Sequence, residues 1–145
     1  MKRVIGLDVG DKRIGLAISD ELRITARGLF TLTRTNIKAD TQNIPDAIND
    51  NNCYIVVIGL PLNLSGQDSV QTKKVREFAL KLENKLKSNS MNDVNIVLYD
   101  ERFTTVLAEQ AMKDSGASRR KVKEAIDRQA AVVMLEDWLR SNTQE

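Results

Sequence analysis

The chain has 145 residues, 41% of them hydrophobic and 29% charged, with a formal net charge of +2. These totals fit one soluble α/β-sized domain, residues 1–145, long enough to bury a core without disulfide staples. The chain has no histidine, which excludes Ser-His-Asp and Cys-His nucleophile systems, histidine general bases and histidine metal sites.

Chemistry in such a chain must run on carboxylates, hydroxyls, Lys and Arg, or a metal held by oxygen ligands. Oxygen-only sites suit Mg²⁺, Mn²⁺ or Ca²⁺. No apolar run approaches the length of a membrane span, and "MKRVIGLDVG" enters a strand pattern with no secretory h-region or cleavage site. A cytoplasmic protein without membrane contact is expected. The single cysteine, Cys53, offers neither a disulfide framework nor zinc-ligand spacing. It is expected to be buried or half-buried at the start of a strand.

In chain order, "RVIGLDV" and "RIGLAIS" are short apolar runs joined by "GDK". They predict an antiparallel hairpin, with Gly10 opening the turn. "ARGLFTLT" predicts a third strand. "IKADTQNIPDAINDN" predicts a weak helix, lowered by Pro45 and by its Asn and Asp content. "YIVVIGL" is apolar almost throughout, as in a strand buried on both faces. "SVQTKKVREFALKLENKLK" predicts an amphipathic helix with Val75, Phe78, Ala79, Leu82 and Leu86 on one stripe. Asp68 with Gln71 is read as its capping box. "VNIVLY" predicts another buried strand, "TTVLAEQAMKDSG" a helix closed by Gly116, and "EAIDRQAAVVMLEDWLRS" a long final helix. The expected fold class is α/β: a three-stranded antiparallel meander plus parallel strands in one mixed sheet, with helices on both faces.

Three carboxylates stand in unusual places. Asp8 lies inside the first apolar strand, where an unpaired carboxylate is costly. Glu101 follows a strand at its carboxyl end, where open α/β sheets form their sites. Asp127, on the final helix, shares a sector with Ala131, Met134 and Trp138 at about 100° per residue. If that helix packs over the sheet, the three acids converge. Like charges at short range oppose joint ionisation. A pair of hard divalent ions about 3.5–4 Å apart resolves that conflict and drives in-line phosphoryl displacement, with Asp8 as a bridging ligand. Each acid also has a structural reading: Asp8 in an ion pair, Glu101 solvating a strand end, Asp127 bordering an apolar face.

"LDVGDKRIGLAISD", "VIGLPLNLSGQDS", "YDERFTT" and "IDRQAAVVMLEDWL" together resemble the YqgF/RuvX family of bacterial proteins over nearly the whole chain. The resemblance implies a ribonuclease H-like fold. It implies catalytic and metal-ligating carboxylates at Asp8, at Glu101 in "DER" and at Asp127 before the paired alanines, with Mg²⁺ or Mn²⁺ as cofactor. The family is described both as a Holliday junction resolvase and as a nuclease maturing the precursor of small-subunit ribosomal RNA. The implied partners are structured RNA or branched DNA, together with ribosomal precursor particles, and the implied state is monomer or homodimer. Many ribonuclease H-like nucleases place two acids on the last helix. Here Ala130 and Ala131 stand one turn after Asp127, which leaves a second metal more loosely held.

Weaker motifs surround these acids. "KKVR" with Lys73 and Lys74, and "RRKVK" with Arg119, Arg120, Lys121 and Lys123, are basic segments suited to a nucleic-acid backbone. They are otherwise solvated faces. Arg102 either stabilises phosphate charge or pairs with Asp100. Gly10, Gly59, Asn63, Ser65 and Gly66 are phosphate-loop candidates in a strand-to-helix setting; the alternative is that Pro61, Gly66 and Asp68 only shape a loop. Aromatic residues are 4% of the chain, so base stacking is a minor part of any binding. Two other functions remain open. "DVGDKRIG" resembles the first phosphate loop of actin- and sugar-kinase-like ATPases, although no second such loop follows. A non-catalytic ribosome-associated factor that keeps its acids for structure is also compatible.

Overall fold

The computed structural model describes residues 2–100 and 119–142, with side chains described for 2–100 and 129–142. Its elements are β1 (Arg3–Val9), β2 (Arg13–Ser19), β3 (Ala26–Thr33), α1 (Ile37–Asp50), β4 (Cys53–Leu60), α2 (Val70–Ser88), β5 (Asn95–Asp100) and α3 (Arg119–Ser141). The predicted helix at residues 104–116 lies outside the described residues.

The strands form one sheet in the order β3-β2-β1-β4-β5. β1, β2 and β3 pair antiparallel, and β1, β4 and β5 pair parallel. The mixed sheet is therefore the one expected, a meander continued by parallel strands. Each parallel connection passes through a helix, as a right-handed crossover requires room for one.

Side-chain alternation along the strands builds two cores. Ile5, Leu7 and Val9 of β1, Ile14, Leu16 and Ile18 of β2, and Val56, Ile58 and Leu60 of β4 face α1 and α2. There they meet Ile44 and Ile48 of α1 and Val75, Phe78, Leu82 and Leu86 of α2. On the opposite face Val4, Ala17 and Val57 meet Ala131, Met134, Leu135, Trp138 and Leu139 of α3. Helices thus cover both faces.

One local expectation holds more fully than its weak propensity suggests, and three need revision. α1 is a complete 14-residue helix that runs through Pro45. Its weak intrinsic propensity is outweighed by burial of Ile44, Pro45, Ala47 and Ile48, and by Asn36, whose side chain accepts the Ala39 amide at 2.9 Å. The capping box of α2 is Ser69 with Thr72, not Asp68 with Gln71: the Thr72 amide donates to Ser69 Oγ, and the Ser69 amide donates to Thr72 Oγ1. Asp68 instead takes a two-pronged ion pair from Arg76 at 2.8 and 3.0 Å, which lowers the Asp68 carboxyl from its usual range. β5 is not buried on both faces but forms an edge of the described sheet and is half-exposed. The final helix is described from Arg119, upstream of the Glu124 where periodicity places its start, so the basic segment "RRKVK" is helical.

Cys53 opens β4 and is 3% exposed, as expected. Burial pushes its thiol up to about 11, with Arg3 opposing the shift. That makes it a packing residue rather than a nucleophile.

Candidate functional site

β1, β4 and β5 run in the same direction, so their carboxyl ends lie together. Asp8 is the penultimate residue of β1, opposite Gly15 of β2, and its neighbour Leu7 is in register with Ile58 of β4. Leu60, at the end of β4, is in register with Asp100, the last residue of β5. Glu101 and Arg102 follow directly in the chain and lie outside the described residues.

Strand alternation puts Val4, Gly6 and Asp8 on one face of β1. That is the face α3 covers, because Val4 belongs to the α3 core. Gly6 shows how close the helix comes: a Cβ there would stand 3.1 Å from Leu135 Cβ. Asp8 is half-buried rather than solvated. The sector of α3 containing Ala131, Met134 and Trp138 is buried, as the helical phase predicts. Position 127 precedes Ala131 by one turn on the same helix; its side chain, like those of Arg119, Arg120, Lys121 and Lys123, lies outside the described ones. Among the described residues, no group of three or more His, Cys, Asp or Glu could hold a metal ion. Of the three predicted ligands, only the Asp8 side chain is described.

The turn after Asp8 is tightly held. The Gly10 amide donates to the Arg13 carbonyl at 2.9 Å, and a Cβ on Gly10 would stand 3.0 Å from that same oxygen. Sequence reasoning marked Gly10 but missed the residue that grips the turn. Arg34, just past β3, donates through Nη1 to the Gly10 carbonyl at 2.7 Å and through Nε to Asp40 at 2.9 Å. Asp40 is 2% exposed and also accepts the Thr35 amide at 3.0 Å. No sequence motif flags this pair, since its members flank a helix cap and make sense only when the turn is brought beside them.

The loop between β4 and α2 is closed on itself. Asn63 Oδ1 accepts from the Ser65 amide, the Ser65 hydroxyl and the Gln67 amide. The Gly66 amide donates to the Asn63 carbonyl, and Gly66 holds a φ of 82°, a conformation that suits glycine. Thr72 Oγ1 donates to the Pro61 carbonyl at 2.6 Å. The amides of Ser65, Gly66 and Gln67 are therefore already engaged. This favours the loop-shaping role of Asn63, Ser65 and Gly66, and a phosphate would have to displace internal bonds. Gly59 belongs to β4 itself.

Of the basic residues on α2, Lys74 approaches Asp11 of the β1–β2 turn at 3.4 Å, with both side chains exposed. Such a surface pair contributes about 0–1 kcal/mol and leaves the ammonium available to another anion. Lys73 is exposed beside the Asp68–Arg76 pair. Both lysines lie near the start of α2, and Lys74 reaches the turn that follows Asp8.

Comparison with known proteins gives a consistent result. A family profile described as "RuvX: Holliday junction resolvase" matches residues 2–141. A protein of Koribacter versatilis (strain Ellin345), named a proposed pre-16S rRNA nuclease, is 44% identical over 94% of this chain and 86% of its own length. One of Clostridium tetani (strain Massachusetts / E88) with the same name is 42% identical over 96% of both chains. Among solved structures, T. thermophilus RuvC in complex with Holliday junction substrate matches with a TM-score of 0.62 at 14% identity, covering 99% of this chain and 97% of that one. The yeast mitochondrial Holliday junction resolvase Ydc2 matches at 0.58 and 11% identity, covering 96% and 78%. At such identities the structural likeness speaks for the shared ribonuclease H-like fold.

Proposed function

The chain belongs to the RuvX family, and from that premise we propose that it is a divalent-metal-dependent nuclease that hydrolyses phosphodiester bonds in the precursor of small-subunit ribosomal RNA. The observation that carries this reading is the Asp8 carboxylate, half-buried at the carboxyl end of β1 on the face covered by α3. A carboxylate at the carboxyl end of a sheet strand offers hard oxygen donors suited to a divalent cation. The substrate class follows the family and its named relatives.

In this reading Asp8, Glu101 and Asp127 are the metal ligands. The donor set fits a hard ion: carboxylate oxygens only, in a chain without histidine. Mg²⁺ or Mn²⁺ bound there would supply Lewis-acid activation of water and of the scissile phosphate. The chain's own groups do the rest. Asp8 is paired with Gly15 of β2 and its neighbour Leu7 with Ile58 of β4, so its carboxylate needs little reorganisation on binding. Lys73 and Lys74 on α2 and the cations of "RRKVK" on α3 take up backbone phosphates, with Arg102 beside Glu101 in the chain.

The test is cleavage by purified protein with Mg²⁺, Mn²⁺ or EDTA, in parallel with Asp8→Asn. The substrates are a precursor ribosomal RNA end, linear duplex DNA and a four-way DNA junction. Metal-dependent cutting of the RNA is expected, reduced roughly 10³-fold or more in the variant, since a metal site contributes several kcal/mol. Undiminished cutting by the variant overturns the site. Preference for the four-way junction moves the substrate to branched DNA, and binding without turnover on every substrate assigns a non-catalytic factor.

A further inference from the structure

Arg34 makes an unusual set of contacts for a residue outside the acid site. Its backbone amide donates to the Lys12 carbonyl at 2.8 Å, and its guanidinium donates to the Gly10 carbonyl at 2.7 Å. One residue therefore holds both ends of the turn that begins two positions after Asp8. The guanidinium is itself anchored, by Asp40 at 2.9 Å and by the Phe78 ring, whose centroid lies 5.4 Å away. Asp40 is 2% exposed and locked by the Thr35 amide. The chain of contacts runs from the α2 core and the start of α1, through Arg34, to the carbonyl of Gly10.

A buried ion pair is a poor device for stability alone. Its desolvation costs about as much as its attraction returns, and apolar replacements of similar volume are often neutral or better. What a guanidinium adds is direction: a planar fork that bonds a carboxylate on one side and a carbonyl on another, in a fixed relation. From these contacts we infer that Arg34, set by Asp40, is a positioning residue for Asp8. It fixes the β1–β2 turn and so fixes where the Asp8 carboxylate stands when a divalent ion binds. The inference rests on the reading of Asp8 as a metal ligand.

The test measures Mn²⁺ binding by calorimetry and by electron paramagnetic resonance, together with hydrogen exchange at the Gly10 amide. Arg34→Met alone strands the buried Asp40 and risks misfolding. The informative variants are therefore Arg34→Met/Asp40→Asn, which removes the pair without leaving an orphaned charge, and Arg34→Lys, which keeps the charge and loses the fork. Met91→Ala, distant at the amino end of β5, serves as a control for general destabilisation. The double variant should bind Mn²⁺ about 10-fold more weakly, the low end of the effect of losing a group bonded to a ligand itself, and should exchange Gly10 faster. Arg34→Lys should fall between it and the native protein, and Met91→Ala should leave Mn²⁺ affinity unchanged. If Asp8→Asn loses binding and the folded double variant does not, the positioning role is overturned and the metal site stands. If Asp8→Asn binds Mn²⁺ as well as the native protein, both fall. Equal weakening in Met91→Ala also overturns the inference, because stability alone would then explain the effect.

Discussion

The two faces of the sheet are built from different materials. The face toward α1 and α2 is packed with Ile5, Leu7, Ile14, Leu16, Ile18, Ile58, Phe78 and Leu82, none more than 1% exposed. The face toward α3 sets the small residues Gly6, Ala17 and Ala131 among Val4, Val57, Met134, Leu135, Trp138 and Leu139. Bulky branched side chains hold helices at ordinary packing distance and bury the most area. Small ones let α3 come close to the strands. The acid of β1 is on the small-residue face, and the β5 edge is tied to the same helix by the Tyr99 hydroxyl, which donates to Asp137. One face supplies stability, and the other sets the distance between a helix and a strand that carry the proposed ligands.

This comparison can be broken by substitutions on either side. The largest stability effect belongs to the bulky face. Leu82→Ala should cost about 2–5 kcal/mol, as buried leucine truncations do, and should leave the cleavage rate per folded molecule unchanged. Denaturant unfolding and single-turnover cleavage measure the two quantities; a rate that falls with stability would show that the faces are not separable. On the small-residue face, Gly6→Ala should cost less, about 1–3 kcal/mol for overpacking against Leu135. Because the methyl pushes Leu135 by a few tenths of an ångström, it should also slow cleavage, by less than the ~10²-fold that misplacements of about 1 Å cause. An unchanged rate in a folded Gly6→Ala protein would remove the distance argument.

The smallest effect is one of pH. Burial first, and then the bond to Asp137, push the Tyr99 hydroxyl from its ordinary 10.0 up to about 12. Between those values the folded state holds a proton that the unfolded chain has lost, so stability is complete below pH 10 and falls as pH rises through the window. Cys53, raised from 9.0 to about 11, acts in the same direction slightly lower. Tyr99→Phe should therefore flatten the upper part of the alkaline decline and leave the lower part. Denaturation midpoints across pH 9–12 check this; an unchanged slope would show that burial and the Asp137 bond do not retain the Tyr99 proton in the folded state.

Much of the architecture was legible along the chain because it depends on periodicity. Strands with period two, the stripe on α2 and the buried sector of α3 at Ala131, Met134 and Trp138 are all consequences of local geometry. Asp8 was visible for the same reason, as a charge where the pattern asks for an apolar residue. The completeness of the helix through Pro45, the one-residue shift of the α2 cap and the place of β5 at the edge of the described sheet were not. Each is decided by neighbours distant in sequence: burial offsets a poor propensity, a Pro61 carbonyl selects Thr72 as its donor, and strand order places β5 at the edge of the described sheet. The Arg34–Asp40 grip on Gly10 belongs with them. An arginine after one strand and an aspartate in the next helix carry no joint signal until the first turn of the chain is folded against them. The sequence determined by itself which residues face inward and which acid is out of place, because those are properties of a single element. What stands beside that acid is legible only in the folded molecule, because contact between elements is set by the packing of the whole sheet.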